Sequence, residues 1–411
     1  MNPKEQKQKL STSETASPSL SKNTDLVITS PSLSNVDVGE AMKKQNDVAM
    51  FLAEKVISVV AKNSNFVFSP ASINAILTMV AATSSEEALR SFILSFLKSS
   101  STDELNAVFR EIASLVLVDG SESGGPKIAA VNGAWMEQSL PVDPSMKDLF
   151  ENFFKAAFAQ VDFRFKGEQA RMEANSWASK NTNGLINNLL PPGSVSSDTE
   201  CIYGNALYFK GAWQNKFYKS LTRDKEFHLL DGTSVSVPFM HSSDKQYITD
   251  YDGFKVLGLP FRQCGDTNRR FSMYFYLPDK KDGLNDLVKR MASTPGFLES
   301  HIPEYKREVG EFRIPKFKIE FGFDVSSALD KPELLELVSV SLYHKAWVEI
   351  DEDGAKAMDI TRFVLSRTSF GCGRKMDFVA DHPFLFMIRE DETGTVLFVG
   401  QIFDPTKSSS V

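Results

Sequence analysis

Residues that could do chemistry are few in this chain, and their spacing joins none of them into a reactive set. Five histidines, His228, His241, His301, His344 and His382, stand far apart. None belongs to a His-Glu-x-x-His or Cys-x-x-Cys pattern, so no zinc site is expected. No Gly-x-Ser-x-Gly turn, Walker loop or dinucleotide fingerprint occurs, and Gly371-Cys372-Gly373 lacks both the third glycine and a following helix. Ser69, His344 and an aspartate could form a triad only from distant positions that spacing does not favour. Glu349, Asp351, Glu352 and Asp353 lack the alternation and closing glutamate of a calcium hand, which makes them a solvated strand end. Cys372 has no adjacent histidine or helix start to lower its pKa and reads as an ordinary exposed thiol. The expectation is a protein that is not an enzyme and uses no metal or cofactor.

The acidic run nevertheless marks the most informative place in the chain. It ends a strand-like segment from Trp347 and opens a long polar stretch without proline that leads into Phe378-Val379-Ala380-Asp381-His382-Pro383-Phe384. A stretch with no core of its own between two apolar, aromatic-rich segments is an exposed loop held at both ends by a scaffold. The scaffold begins with helical spacing: Val48, Phe51, Leu52, Val56 and Ile57 form one stripe. A short strand at Asn65–Phe68 stops at Pro70, and helices are predicted over 72–82, 86–97, 102–117 and 146–158, the last with Phe150, Phe153, Phe154 and Phe158 on one face. After Asn175 the runs become β-branched and aromatic: 202–209, 254–259, 271–277, 312–321, 338–350 and 395–402. Helices first and strands later indicate an α+β fold. No internal repeat emerges.

With 411 residues, 42% hydrophobic, the chain can bury one large core or two smaller ones. A net charge of -7 and a pI near 5.5 exclude a nucleic-acid backbone as the main partner. Three cysteines, Cys201, Cys264 and Cys372, fit a chain that folds without disulfides. Residues 1–38 are polar and read as a disordered leader without the apolar core of a signal peptide. No run approaches membrane-spanning length, and no Asn-x-Ser/Thr acceptor is present. The expected location is therefore cytosol or nucleus, with non-classical release as the route to any extracellular role.

Five motifs then occur in one order: Asn65 to Ile73, Asn175-Ser176-Trp177 with Thr182 to Ile186, Asn205 to Trp213, Ile314-Pro315-Lys316-Phe317, and Asp377 to Phe384. In that order the chain resembles the serpins, and among them the Z-type serpins of plants, from about Asp47 to Pro405. The resemblance implies one domain over 39–405, with three β-sheets, about eight or nine helices, a reactive-centre loop near 354–376, and a short tail at 406–411. It also implies a protease inhibitor whose cleaved loop enters the central sheet as a new strand and drags the bound protease with it. The implied partner is a trypsin-like serine protease or a papain-like or metacaspase-like cysteine protease, met by a monomer without membrane or nucleic acid.

Carried over residue by residue, Ser69, Ser72, Asn205 and His344 match the polar cluster beneath the sheet where strands part. Trp213 matches the top of that opening, and Lys316 the partner of Glu352 ahead of the loop. Glu352, Asp353, Gly354, Ala355, Lys356 and Ala357 match the hinge. Met358 and Asp359 depart from the small residues usual there, as does Ile360-Thr361-Arg362. In one strand phase Ala355, Ala357, Asp359, Thr361 and Phe363 turn to the core and bury a carboxylate; in the other Lys356 and Arg362 are buried. The connection from Phe323 to Ser339 is also short for the family, which would loosen the strand ahead of the loop. These departures keep open a second reading, a non-inhibitory serpin that acts as a binding protein or a protease substrate. The resemblance, through the family's usual loop length counted from Gly354, implies a scissile bond at Thr368-Ser369 or, since the loop is one residue short, at Arg367-Thr368, where Arg367 would suit an acidic specificity pocket.

Overall fold

The computed structural model describes residues 36–263, 265, 269–336, 339–354 and 375–408. The leader as far as residue 35 and the loop positions Ala355, Lys356, Ala357, Met358, Asp359, Arg367, Thr368, Ser369 and Cys372 lie outside the described residues. Asp37 caps the first helix by accepting the Glu40 N–H, so Val38–Lys55 starts one residue ahead of the expected domain edge. Ser69 does the same for Pro70–Thr83, with proline at the position where a missing N–H costs nothing. Nine α-helices and three sheets make up the described residues, in an α+β arrangement.

The sheet that matters most has five strands in the order Phe317–Asp324, Val340–Ile350, Cys201–Lys210, Lys127–Glu137, Ala156–Val161. Its third and second members run parallel and are bonded directly, from Val340 opposite Cys201 to Trp347 opposite Tyr208. Alternation sends Leu342, Ala346 and Val348, with Tyr203, Leu207 and Phe209, into the main core. The opposite face, with Tyr343, Trp347, Ile202 and Tyr208, lies in a second apolar cluster with Ala170, Ala174 and Ala178 of the Phe163–Asn181 helix. There Tyr208 stacks on Trp347 at 5.0 Å and Trp135 meets Trp177 edge-on at 5.3 Å. A seven-stranded sheet and a four-stranded sheet, the latter ordered Met376–Val379, Val309–Pro315, Ser234–Met240, Arg223–His228, complete the body.

Four expectations need correction, three of them about element boundaries. The helix read over 146–158 ends in the turn Leu149–Phe153, because Lys155 takes a left-handed φ of 51° and the chain enters the strand Ala156–Val161. Phe158 still stacks on Phe150, at 5.4 Å, but across a helix–strand junction rather than along one helix face. The run 312–321 is two strands in two sheets, parted at Lys316 after Pro315, whose ring supplies no N–H to continue a ladder. Strands also precede Asn175: Lys127–Glu137 is covered on most of its length on both faces, so it shows no alternation to read.

The short connection after Phe323 is packed rather than loose. Val325, Ala328 and Leu335 are buried in it, Lys55 Nζ holds Asp330 at 2.8 Å, and a helical turn forms at Glu333–Glu336. The strand that follows is bonded along both edges.

Candidate functional site

At the seam between Cys201–Lys210 and Val340–Ile350 a run of buried polar groups, Ser69, His344, Asn205 and Asn132, is joined by hydrogen bonds. Ser69 leaves the strand Phe66–Phe68 and caps the next helix, its Oγ accepting the Ser72 N–H at 3.1 Å. Its own N–H donates to His344 Nε2 at 2.9 Å. That bond assigns the proton of the neutral ring to Nδ1, which donates to Asn205 Oδ1 at 3.2 Å across the seam. Asn205 Nδ2 donates in turn to Asn132 Oδ1 at 2.6 Å, and Asn132 Nδ2 to Phe154 O at 3.4 Å. Burial pushes the His344 imidazole down to about 3, so the ring is neutral at neutral pH. The Ser72 hydroxyl is buried and has no hydrogen-bond partner among the described residues. Sequence reading thus brought Ser69, Ser72, Asn205 and His344 to one place and missed Asn132. An asparagine inside Ala129-Ala130-Val131-Asn132-Gly133-Ala134 was the available signal, a polar group in a run with no reason to be polar.

Toward the top the seam opens, because pairing with Cys201–Lys210 ends at Trp347 while Val348, Glu349 and Ile350 remain bonded to Phe317–Ile319 only. Trp213 ties the chain beyond this opening to the body. It stacks on Phe261 at 4.6 Å, and its indole Nε1 donates to Asp351 O at 2.8 Å. Backbone N–H groups of Trp213 and Phe217 donate to the carbonyls of Asp353 and Glu352 at 3.3 and 3.0 Å. Burial alone would push the Glu352 carboxyl up, but Lys316 Nζ at 2.7 Å and the Thr222 hydroxyl at 2.8 Å outweigh it and hold it below the usual range. Asp353 is held low as well, first by Lys219 at 2.9 Å and also by Lys216 at 3.7 Å. Gly354 closes the turn with φ 71°, and a Cβ there would come within 2.6 Å of Gly211 O. The structure therefore brings Trp213, Lys316, Glu352, Asp353 and Gly354 together, and adds Thr222, Lys216 and Lys219, which the sequence reading did not name.

The arrangement anchors the chain at Asp351–Gly354 beside the end of the seam; among the described residues it presents no nucleophile with an adjacent base. Comparisons with known proteins place the chain in a family. A family model described as Serpin (serine protease inhibitor) matches residues 43–405. Among relatives, a protein named probable non-inhibitory serpin-Z5 from Arabidopsis thaliana is 65% identical over 99% of this chain and 100% of its own length. Serpin-Z2 of the same plant is 62% identical over 100% of this chain and 99% of its own. The second alignment spans 413 positions for the 411 residues of this chain, whereas the first spans 436, so the probable non-inhibitory relative carries insertions that Serpin-Z2 does not. Among solved structures, Arabidopsis AtSerpin1 in its native stressed conformation superposes with a TM-score of 0.82 at 46% identity, covering 91% of this chain and 100% of that one. Uncleaved ovalbumin shares the fold at a TM-score of 0.73 and 22% identity, over 89% of this chain and 100% of its own. With a family model over most of its length and relatives 62% and 65% identical from end to end, this chain belongs to the serpin family.

Proposed function

We propose that this serpin inhibits a protease by loop insertion. The single observation that supports the reading most is the pair of parallel strands at the centre of the five-stranded sheet, bonded directly at eight positions from Val340 to Trp347. Parallel pairing is the weaker kind per residue, and a strand entering between the two, antiparallel to both, would exchange it for two antiparallel ladders. In the proposed reaction the protease hydroxyl or thiol attacks a loop carbonyl, the peptide bond breaks, and the new amino terminus leaves with the far half of the loop. The near half stays esterified to the protease and enters the seam. The polar chain through His344 and Asn205 suits this step, since only one bond of it crosses the seam and a neutral hydrogen bond contributes about 1 kcal/mol net.

The anchored turn Asp351–Gly354, if it stays in place, sets the phase of the entering strand. Ala355 comes opposite Ile350, and Ala357, Asp359 and Thr361 fall opposite Val348, Ala346 and His344. The Asp359 carboxyl would thus lie among Ala346 and Leu207, both fully buried. An unpaired charge there costs on the order of several kcal/mol, or is neutralised by taking up a proton. That position, together with the relative named a probable non-inhibitory serpin, favours a second reading in which insertion is too slow and the loop is cut as a substrate. For a bond after Arg367 the target is a trypsin-like serine protease; a papain-like or metacaspase-like cysteine protease suits the same loop.

Incubation with trypsin and with papain separates the readings. A complex that survives SDS, at a higher yield in Asp359→Ala, supports inhibition. Clean cleavage without complex in both proteins, with no large rise in melting temperature of the cut form, overturns it.

A further inference from the structure

Beyond its cleavage region the chain rejoins the body at Met376–Val379, a four-residue edge strand that pairs in parallel with Val309–Pro315. A strand this short, bonded on one side only, is easily peeled away. Its register is interrupted: Val309 faces Met376, the next pair is Phe312 with Phe378, and Gly310 and Glu311 bulge opposite Asp377 alone. The Asp377 carboxylate fills that interruption, its Oδ1 accepting the Glu311 N–H at 2.6 Å. A Cβ on Gly310 would collide with the same oxygen. Gly310 does not have a positive φ, so the glycine is required for space and not for conformation. The remaining ties are the Met376 N–H to Glu308 O at 3.1 Å, the Ala380 N–H to Arg313 O at 2.9 Å, and the fully buried Phe378 beside Phe312. Asp377 joins the two strands at the one point where their backbone ladder fails.

We propose that Asp377 is a positioning residue: its carboxylate, seated in the Gly310–Glu311 bulge, locks the C-terminal foot of the reactive loop to the four-stranded sheet. Hydrogen–deuterium exchange of the full-length protein, read by mass spectrometry on the peptide 375–381, tests it against a control peptide from the central sheet, 340–347. Asp377→Ala should speed exchange in 375–381 about tenfold, the scale of losing one charge-assisted hydrogen bond from a locally opening strand, and leave the control unchanged. Asp377→Asn keeps an acceptor oxygen and should restore most of the protection. Gly310→Ala should act like Asp377→Ala, whereas the double variant should exchange no faster than Asp377→Ala alone, because the colliding atom is then absent. Unchanged exchange in Asp377→Ala, additive effects in the double variant, or equal loss of protection in the control peptide would each overturn the proposal. Since exchange reports the strand itself and complex formation reports insertion, either proposal can fail without the other.

Discussion

Acid should loosen the central sheet through one residue, His344. Its ring is 1% exposed, accepts from the Ser69 N–H and donates to Asn205, and burial holds its folded-state pKa at about 3, against about 6.5 in the unfolded chain. A depressed folded pKa means that the unfolded chain takes up the proton first. The stability contribution is therefore fully present above pH 6.5 and declines as pH falls from there toward 3, by about 1.4 kcal/mol per pH unit. At pH 5 the loss is on the order of 2 kcal/mol. In the folded state a proton on Nε2 would also face the Ser69 N–H, donor against donor, beside the bond that closes the seam. The comparison is wild type against His344→Gln, a neutral side chain that can still donate and accept, by urea unfolding at pH 7.5 and pH 5. Every other titrating group is common to both proteins and cancels, so the wild type should lose about 2 kcal/mol more than the variant between the two pH values. A difference that stays constant would refute the assignment of a neutral, buried imidazole to this position.

Two further substitutions test the site around the seam. Asn132→Ala leaves Asn205 Nδ2 without its acceptor in a fully enclosed place and should lower stability by about 1 to 3 kcal/mol in the same unfolding assay; a change of a few tenths would mean that water replaces the lost partner. Gly354→Ala puts a side chain at φ 71° and against the Trp213 N–H and Gly211 O, so it should cost at least about 1 to 2 kcal/mol and release the turn above Trp213. Tryptophan emission and melting temperature identical to wild type would sink that account.

Legibility followed the range of the interactions. Helix starts were readable because a cap reaches only three residues, as Asp37 and Ser69 do. The order of five motifs was sufficient for the family, and of the residues carried over with it Ser69, His344 and Asn205 are joined by hydrogen bonds. Where the reading failed, a local pattern had been asked a long-range question. Phe150 and Phe158 look like one helix face and touch across two elements; the apolar run 312–321 looks like one strand and serves two sheets.

Taken alone, then, the sequence determined the fold class and the family, both carried by residue types and spacings within a few positions. Only the tertiary structure decided that Asn132 extends the chain of bonds from Ser69, that the seam is closed at eight positions, and that Asp377 sits in a bulge at Gly310. Those bonds join residues up to 275 apart, as between Ser69 and His344. A donor in a sequence does not specify its acceptor at such separations; strand register does, and register is set by packing of the whole core.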